Sequence, residues 1–461
     1  MAKVTLSTKA LAVDPLKVSQ PVGASLAFMG LADCMPLEHG ARGCTAFNKL
    51  FFMRHFREPI ALQTTAMDHI ATVLGADANI IEALATVAKR NKPEVIGLVT
   101  TGLPETQGAD IAGALRAFRE DYPEHAHIAV VPVNSTDTLG CLESGFALAL
   151  EAIIAALTPE KHRAHPASRQ VTVLASAMLT PADLEAIREW IAAFGLAPLL
   201  IPDIGDSLDG HLSEEGYSAL TCGGVSRAAI ARAGVSRATF VIGPSLARAA
   251  DLLRKRTGVP DYRFAGLMGL DDCDAFTQTL SAVSGRPAPE FIERQRAQLQ
   301  DAMVDCHFHL GNAPVALAAD SDLLGSFGCF LQECGAKIVA ALASAPTPRL
   351  ANLPFAEVHV GDLEDFERLA AHHGARLLLA NSHGDEIARR LDAPLLRIGF
   401  PLYDEIGAHA KTRVGYRGSR ATLFEIANLL LRGHREIPPY RSIFWQGGAR
   451  EAEQVAAPVV R

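Results

Sequence analysis

The chain has 461 residues, of which 49% are hydrophobic and 20% charged. That is enough for two large domains or three smaller ones, with cores that need no disulfide or zinc staple. A formal charge of −8 argues against a nucleic-acid binder built on phosphate neutralisation. No apolar run reaches the ~18 residues of a membrane span, and the start, Met1 to Thr5, lacks a signal peptide's apolar core; the expectation is a soluble cytoplasmic protein.

In chain order, short β-branched runs alternate with amphipathic helical stretches. Val95–Thr101 and His127–Val133 read as buried strands around a helix over 109–120, and Phe146, Leu150, Ile153, Ile154 and Leu157 share one helical face. Strands that are apolar throughout, rather than at every second residue, indicate parallel sheets covered on both sides. A polar stretch, Thr158 to Gln170, reads as a linker. The pattern then restarts with strand Val171–Leu174, helix Pro181–Phe194, strand Ala197–Ile201 and strand Ala238–Gly243. Thr180 before Pro181 is a hydroxyl cap ahead of a proline where no amide hydrogen is needed, and Gly195 ends the helix.

A long charged helix over 289–304 leads to a third series of strands: Pro314–Ala318, Lys337–Leu342, Ala356–Val360, Ala375–Leu379 and Pro394–Ile398. The tail after about Gly447 reads as frayed. The division expected is three α/β units over 1–165, 166–304 and 305–461.

Eight scattered cysteines, none spaced CxxC, do not form a disulfide framework. The strand-end loops, such as Thr100-Thr101-Gly102 and Gly243-Pro244-Ser245, include no phosphate-binding glycine motif and no GxSxG elbow. Cys306-His307-Phe308-His309 carries zinc-type ligands but has no second half-site. His211 and His383 are loop histidines beside glycine, where turn geometry competes with function. Cys44 differs. It follows Arg42-Gly43 and precedes an amphipathic stretch, Phe47 to Phe56, which puts a thiol near a helix N-terminus. There the helix dipole and Arg42 are expected to favour the metal-binding thiolate.

Around this cysteine the chain resembles the nitrogenase component 1 β-subunit-like family. The residues that carry the resemblance are Gln20-Pro21-Val22-Gly23-Ala24, His39-Gly40-Ala41-Arg42-Gly43-Cys44, Arg54-His55-Phe56-Arg57-Glu58-Pro59 and Thr100-Thr101-Gly102. Further motifs point to the branch of that family that assembles the iron–molybdenum cofactor: Pro202 to His211, Arg256-Thr257-Gly258-Val259-Pro260, Val360 to Asp365, Asn381-Ser382-His383-Gly384 and Val414-Gly415-Tyr416-Arg417-Gly418. The resemblance runs from about residue 15 to about 435.

The resemblance implies an α/β fold of three Rossmann-like domains with mainly parallel sheets covered by helices. It implies a non-catalytic assembly scaffold that pairs with NifE in an α2β2 heterotetramer and holds an iron–molybdenum cofactor precursor, mainly on the partner. The nitrogenase iron protein NifH, the cofactor donor NifB and the acceptor nitrogenase component 1 are the further partners implied. In the catalytic relative, three β-subunit cysteines hold a large interface cluster; their places fall here at Ser19, Cys44 and Gly102. Glycine offers no side-chain ligand, and serine binds iron only as a hard alkoxide. The metal ligand expected is therefore Cys44 alone, as one corner of a 4Fe-4S cluster shared with the partner subunit. Two alternatives stay open: a β-type subunit of a nitrogenase-like reductase that turns over substrate, and a zinc enzyme around Cys306, His307 and His309.

Overall fold

The computed structural model describes residues 1–10, 12–160, 167–212, 216 and 218–432. The tail read as frayed and the middle of the 158–170 linker lie outside these.

Among the described residues fourteen strands form three sheets, and every strand pairing is parallel. The third sheet includes the N-terminal β1 (Lys3–Leu6). The first has the order β3-β2-β4-β5, with β2 Cys34–His39, β3 Gln63–Thr64, β4 Val95–Thr100 and β5 Ala129–Val133. The second has the order β7-β6-β8-β9, with β6 Gln170–Ala175, β7 Ala197–Ile201, β8 Thr239–Ile242 and β9 Asp261–Phe264. The third runs β1-β12-β11-β10-β13-β14, with β10 Pro314–Ala319, β11 Lys337–Ala343, β12 Glu357–Val360, β13 Leu377–Ala380 and β14 Leu395–Arg397.

The architecture is the α/β arrangement of parallel, helix-covered sheets that the strand pattern predicts. One apolar cluster runs from Phe28 and Phe146 through Phe240 and Phe276 to Phe327 and Phe330, so the three sheets share a continuous core. Among the described residues no helix is long and apolar enough to cross a membrane.

Local chemistry sets the helix ends. Thr180 Oγ1 accepts the Asp183 N–H and Asp183 accepts the Thr180 N–H, both at 3.0 Å, a reciprocal cap for helix Pro181–Ala193. Two departures from the sequence reading matter. Lys3–Leu6, which has no strand signature, pairs with Glu357–Val360. The charged helix extends over Glu290–Leu310 and takes Cys306, His307 and His309 into its last turns.

Helices Gln20–Met29 and Leu142–Leu157 meet backbone to backbone. A Cβ on Gly23 would lie 1.8 Å from Leu142 O, and one on Gly145 would lie 2.0 Å from Gln20 O. Only glycine permits this approach, which fixes the first helix against the loop that follows β5.

Candidate metal centre

The carboxyl ends of parallel β2, β4 and β5 lie on one side of the first sheet. After β2 the chain turns at Gly40 and enters helix Arg42–Phe56; after β4, Thr101 caps helix Gly102–Gln107. The two strand ends are pinned together by Thr101, whose N–H and Oγ1 both donate to His39 O, at 3.2 and 3.0 Å. Gly40 makes the approach possible, since a Cβ there would sit 2.5 Å from Thr101 Oγ1.

Ser19 is the cap residue of helix Gln20–Met29. Its neighbour Gln20 joins it to the β5 loop: Gln20 Oε1 accepts the Thr136 N–H at 3.3 Å and its Nε2 donates to Ser144 Oγ at 3.0 Å. Ser19, Cys44 and Gly102 therefore each stand at the start of a helix, and Cys44 is the third residue of its own.

Cys44 is exposed, with open space where a Cβ on Gly43 would point. The expectation that the helix end and Arg42 depress the thiol pKa is overturned. Partial burial, then the Asp137 and Glu38 carboxyls, push it up. Burial, with Asp137 and Glu38, outweighs the backbone N–H that favours the thiolate.

Beneath the cysteine the floor is polar and buried. Glu38 accepts Ser25 Oγ at 3.0 Å and Asn48 Nδ2 at 2.9 Å, and burial raises its pKa. His39 contacts Thr65 Oγ1 at 2.8 Å through Nδ1; burial pushes its pKa down to about 4, and its Nε2 is buried without a partner.

Asp137, which the sequence reading passed over, completes the site. Its Oδ2 accepts the Gly102 N–H at 3.0 Å, and a Cβ on Gly102 would lie 3.0 Å from the same oxygen. A carboxylate thus borders the place where the catalytic relative is expected to carry a cysteine. The available signal was a short polar residue in the turn directly after a buried strand.

Exposed apolar side chains occur on the elements of this region: Phe47 (63% exposed), Leu50 and Met53 on the Cys44 helix, Ile70 and Val73 on helix His69–Leu74, and Leu139 two residues after Asp137.

The other candidates separate. Cys306 is buried, whereas His307 and Phe308 are exposed. Among the described residues no group of three or more His, Cys, Asp or Glu could hold a metal ion. His211 Nδ1 meets Asp209 Oδ1 at 2.5 Å, and that partner raises its pKa. His383 lies between the rings of Phe51 and Tyr403, at 6.4 and 5.6 Å. Arg54 lies 4.4 Å over Tyr403, while His55 is a packing residue whose Nδ1 accepts the Leu402 N–H at 2.9 Å.

Comparison with known proteins places nearly the whole chain in a family. Residues 19–431 match the family described as nitrogenase component 1 type oxidoreductase. The chain is 45% identical to the nitrogenase iron-molybdenum cofactor biosynthesis protein NifN of Klebsiella pneumoniae, over 96% of each protein. It is 46% identical to the NifN of Nostoc sp., over 94% of this chain and 96% of that one. Among solved structures, a chain of Nitrogenase Cp1 at pH 6.5 superposes with a TM-score of 0.87 at 28% identity, over 95% of this chain and 98% of that one. With a matched family spanning most of the chain and near full-length relatives above 40% identity, the chain belongs to the nitrogenase component 1 type oxidoreductases and, within them, to the NifN cofactor-biosynthesis proteins.

Proposed function

We propose that this chain is a scaffold subunit for biosynthesis of the nitrogenase iron–molybdenum cofactor. It pairs with NifE in an α2β2 heterotetramer in which the partner holds most of the maturing precursor. NifB delivers that precursor, the iron protein NifH docks to supply electrons, molybdenum and homocitrate, and nitrogenase component 1 receives the product. Cys44 gives one thiolate to a 4Fe-4S cluster at the subunit interface, and three thiolates come from the partner.

The observation that carries this reading is the donor set. Of the three helix starts, only Cys44 offers a thiol, and it is exposed; Ser19 and Gly102 stand at the others. These residues fit one corner of a shared cubane and do not fit half of a larger cluster. Such a cluster would supply one-electron chemistry. This chain's part is to present one sulfur and to hold Asp137 and Glu38 on the elements next to it.

The test is anaerobic purification of the pair with wild-type chain and with Cys44→Ala. The reading expects the variant to lose iron and the cluster's electron-resonance signal. Unchanged iron and an unchanged signal would contradict it.

A further inference from the structure

Resting on that reading, we infer that Asp137 sets the reduction potential of the interface cluster: its carboxylate, anchored by the Gly102 N–H, stands beside the cluster's Cys44 corner and opposes addition of an electron.

Three observations place it there. Asp137 Oδ2 accepts the Gly102 amide at 3.0 Å and lies the same distance from where a Cβ on Gly102 would be. The loop that carries it is tied to the Ser19 helix start through Gln20 and Thr136. The turn that Asp137 anchors is itself held against the one that leads to Cys44, because Thr101, next to Gly102, donates its N–H and Oγ1 to His39 O at 3.2 and 3.0 Å. Lys17 Nζ donates to the Asp137 backbone carbonyl at 3.3 Å, not to its carboxylate.

The physical argument concerns one charge. Reducing a cluster by one electron, supplied by an external low-potential reductant, adds a negative charge at fixed geometry. A neighbouring anion disfavours the reduced state, and net charge around a cluster is a main determinant of its potential. Ser19 and Gly102 bring no anion to this face, and Asp137 supplies one without adding an iron–sulfur bond. It is a positioning and tuning residue, not a ligand.

The test uses the complete anaerobic complex and a mediated redox titration of the cluster's electron-resonance signal, with iron measured on each sample. Asp137→Asn keeps an oxygen for the Gly102 amide and removes the charge; Asp137→Glu keeps the charge. We expect Asp137→Asn to raise the reduced-to-oxidised ratio at fixed potential at least tenfold, about +59 mV for a one-electron couple, with wild-type iron content. Asp137→Glu should stay near wild type. An unchanged midpoint in Asp137→Asn overturns the inference, and so does loss of iron, which would make Asp137 a ligand. Failure of the underlying reading looks different: the wild-type and Cys44→Ala complexes would carry the same cluster.

Discussion

Glu143 and Asp322 are joined across two helix N-termini: Glu143 Oε2 accepts the Asp322 backbone N–H at 2.7 Å, while its Oε1 accepts the Ser321 hydroxyl at 2.5 Å. In return, Asp320 Oδ2 accepts the Glu143 N–H at 3.3 Å. Helix Leu142–Leu157, which follows the first sheet, and helix Ser321–Glu333, which belongs with the third, therefore cap each other. Asp322 extends the connection to the second sheet's loops, accepting Ser245 Oγ at 2.5 Å and Ser176 Oγ at 3.1 Å, and it pairs with Arg349. Glu143 is fully buried, and burial followed by Asp322 and Asp320 raises its pKa. Glu143→Ala strips acceptors from two buried donors and should lower stability by about 2–4 kcal/mol. Glu143→Gln should cost less. Chemical denaturation checks this, and a shift below about 0.5 kcal/mol for the alanine variant would contradict it.

Two buried histidines give the fold an acid-side weakness. Burial pushes the pKa of His55 down to about 3 and that of His39 down to about 4. Between these values and the ordinary histidine pKa near 6.5, the unfolded chain binds protons that the folded chain refuses. Their contribution is complete above about pH 6.5 and declines as pH falls through that window, by about 1 kcal/mol per histidine at about pH 5.5. In His55→Asn, Oδ1 can accept the Leu402 N–H in place of Nδ1, and the acid-side slope should flatten. Melting temperatures recorded from about pH 7.5 to 5 test this; a slope identical to wild type would count against it.

The backbone contact between Gly23 and Leu142 predicts a sharp asymmetry among glycines. Gly23→Ala and Gly145→Ala place a methyl group about 2 Å from a carbonyl oxygen, forcing two helices apart at a cost of at least about 2 kcal/mol. Gly43→Ala, on the first turn of the Cys44 helix, meets nothing within 4 Å and should be neutral or slightly stabilising. Thermal unfolding of the three variants distinguishes these outcomes.

Thiol labelling should follow the burial pattern. In the isolated chain Cys44, Cys222 and Cys329 are exposed, while Cys34, Cys141 and Cys273 are buried. Alkylation followed by mass spectrometry should therefore modify the first three and spare the others. Because its pKa is raised, Cys44 should react slowly near neutral pH and accelerate into the alkaline range. In the anaerobic complex it should be protected; equal labelling in both states would contradict a role in a shared cluster.

Much of this architecture was legible in the sequence. The strands Ala197–Ile201 and Ile338–Leu342 are continuous apolar runs, and Val171–Leu174 is interrupted only by Thr172; such strands suit a sheet covered on both faces. Strand β2 was not legible, because Pro36, Glu38 and His39 break the apolar pattern; the two titratable groups are buried all the same, each with a hydrogen-bonded side chain. Nor was β1, whose pairing joins residues 354 positions apart. The cysteine at a helix start could be read locally, but its raised pKa could not. That shift comes partly from Asp137 on a separate loop and Glu38 on another element, and Asp137 reaches Gly102 across 35 positions of chain.

The central claim is that this chain owns a single corner of a metal centre completed by another polypeptide. It is tested most directly by iron and acid-labile sulfide analysis of the chain expressed alone and of the chain co-purified anaerobically with its companion. The account predicts a stoichiometric four-iron cluster in the complex and none on the chain alone. A complete iron–sulfur cluster on the chain alone would contradict it.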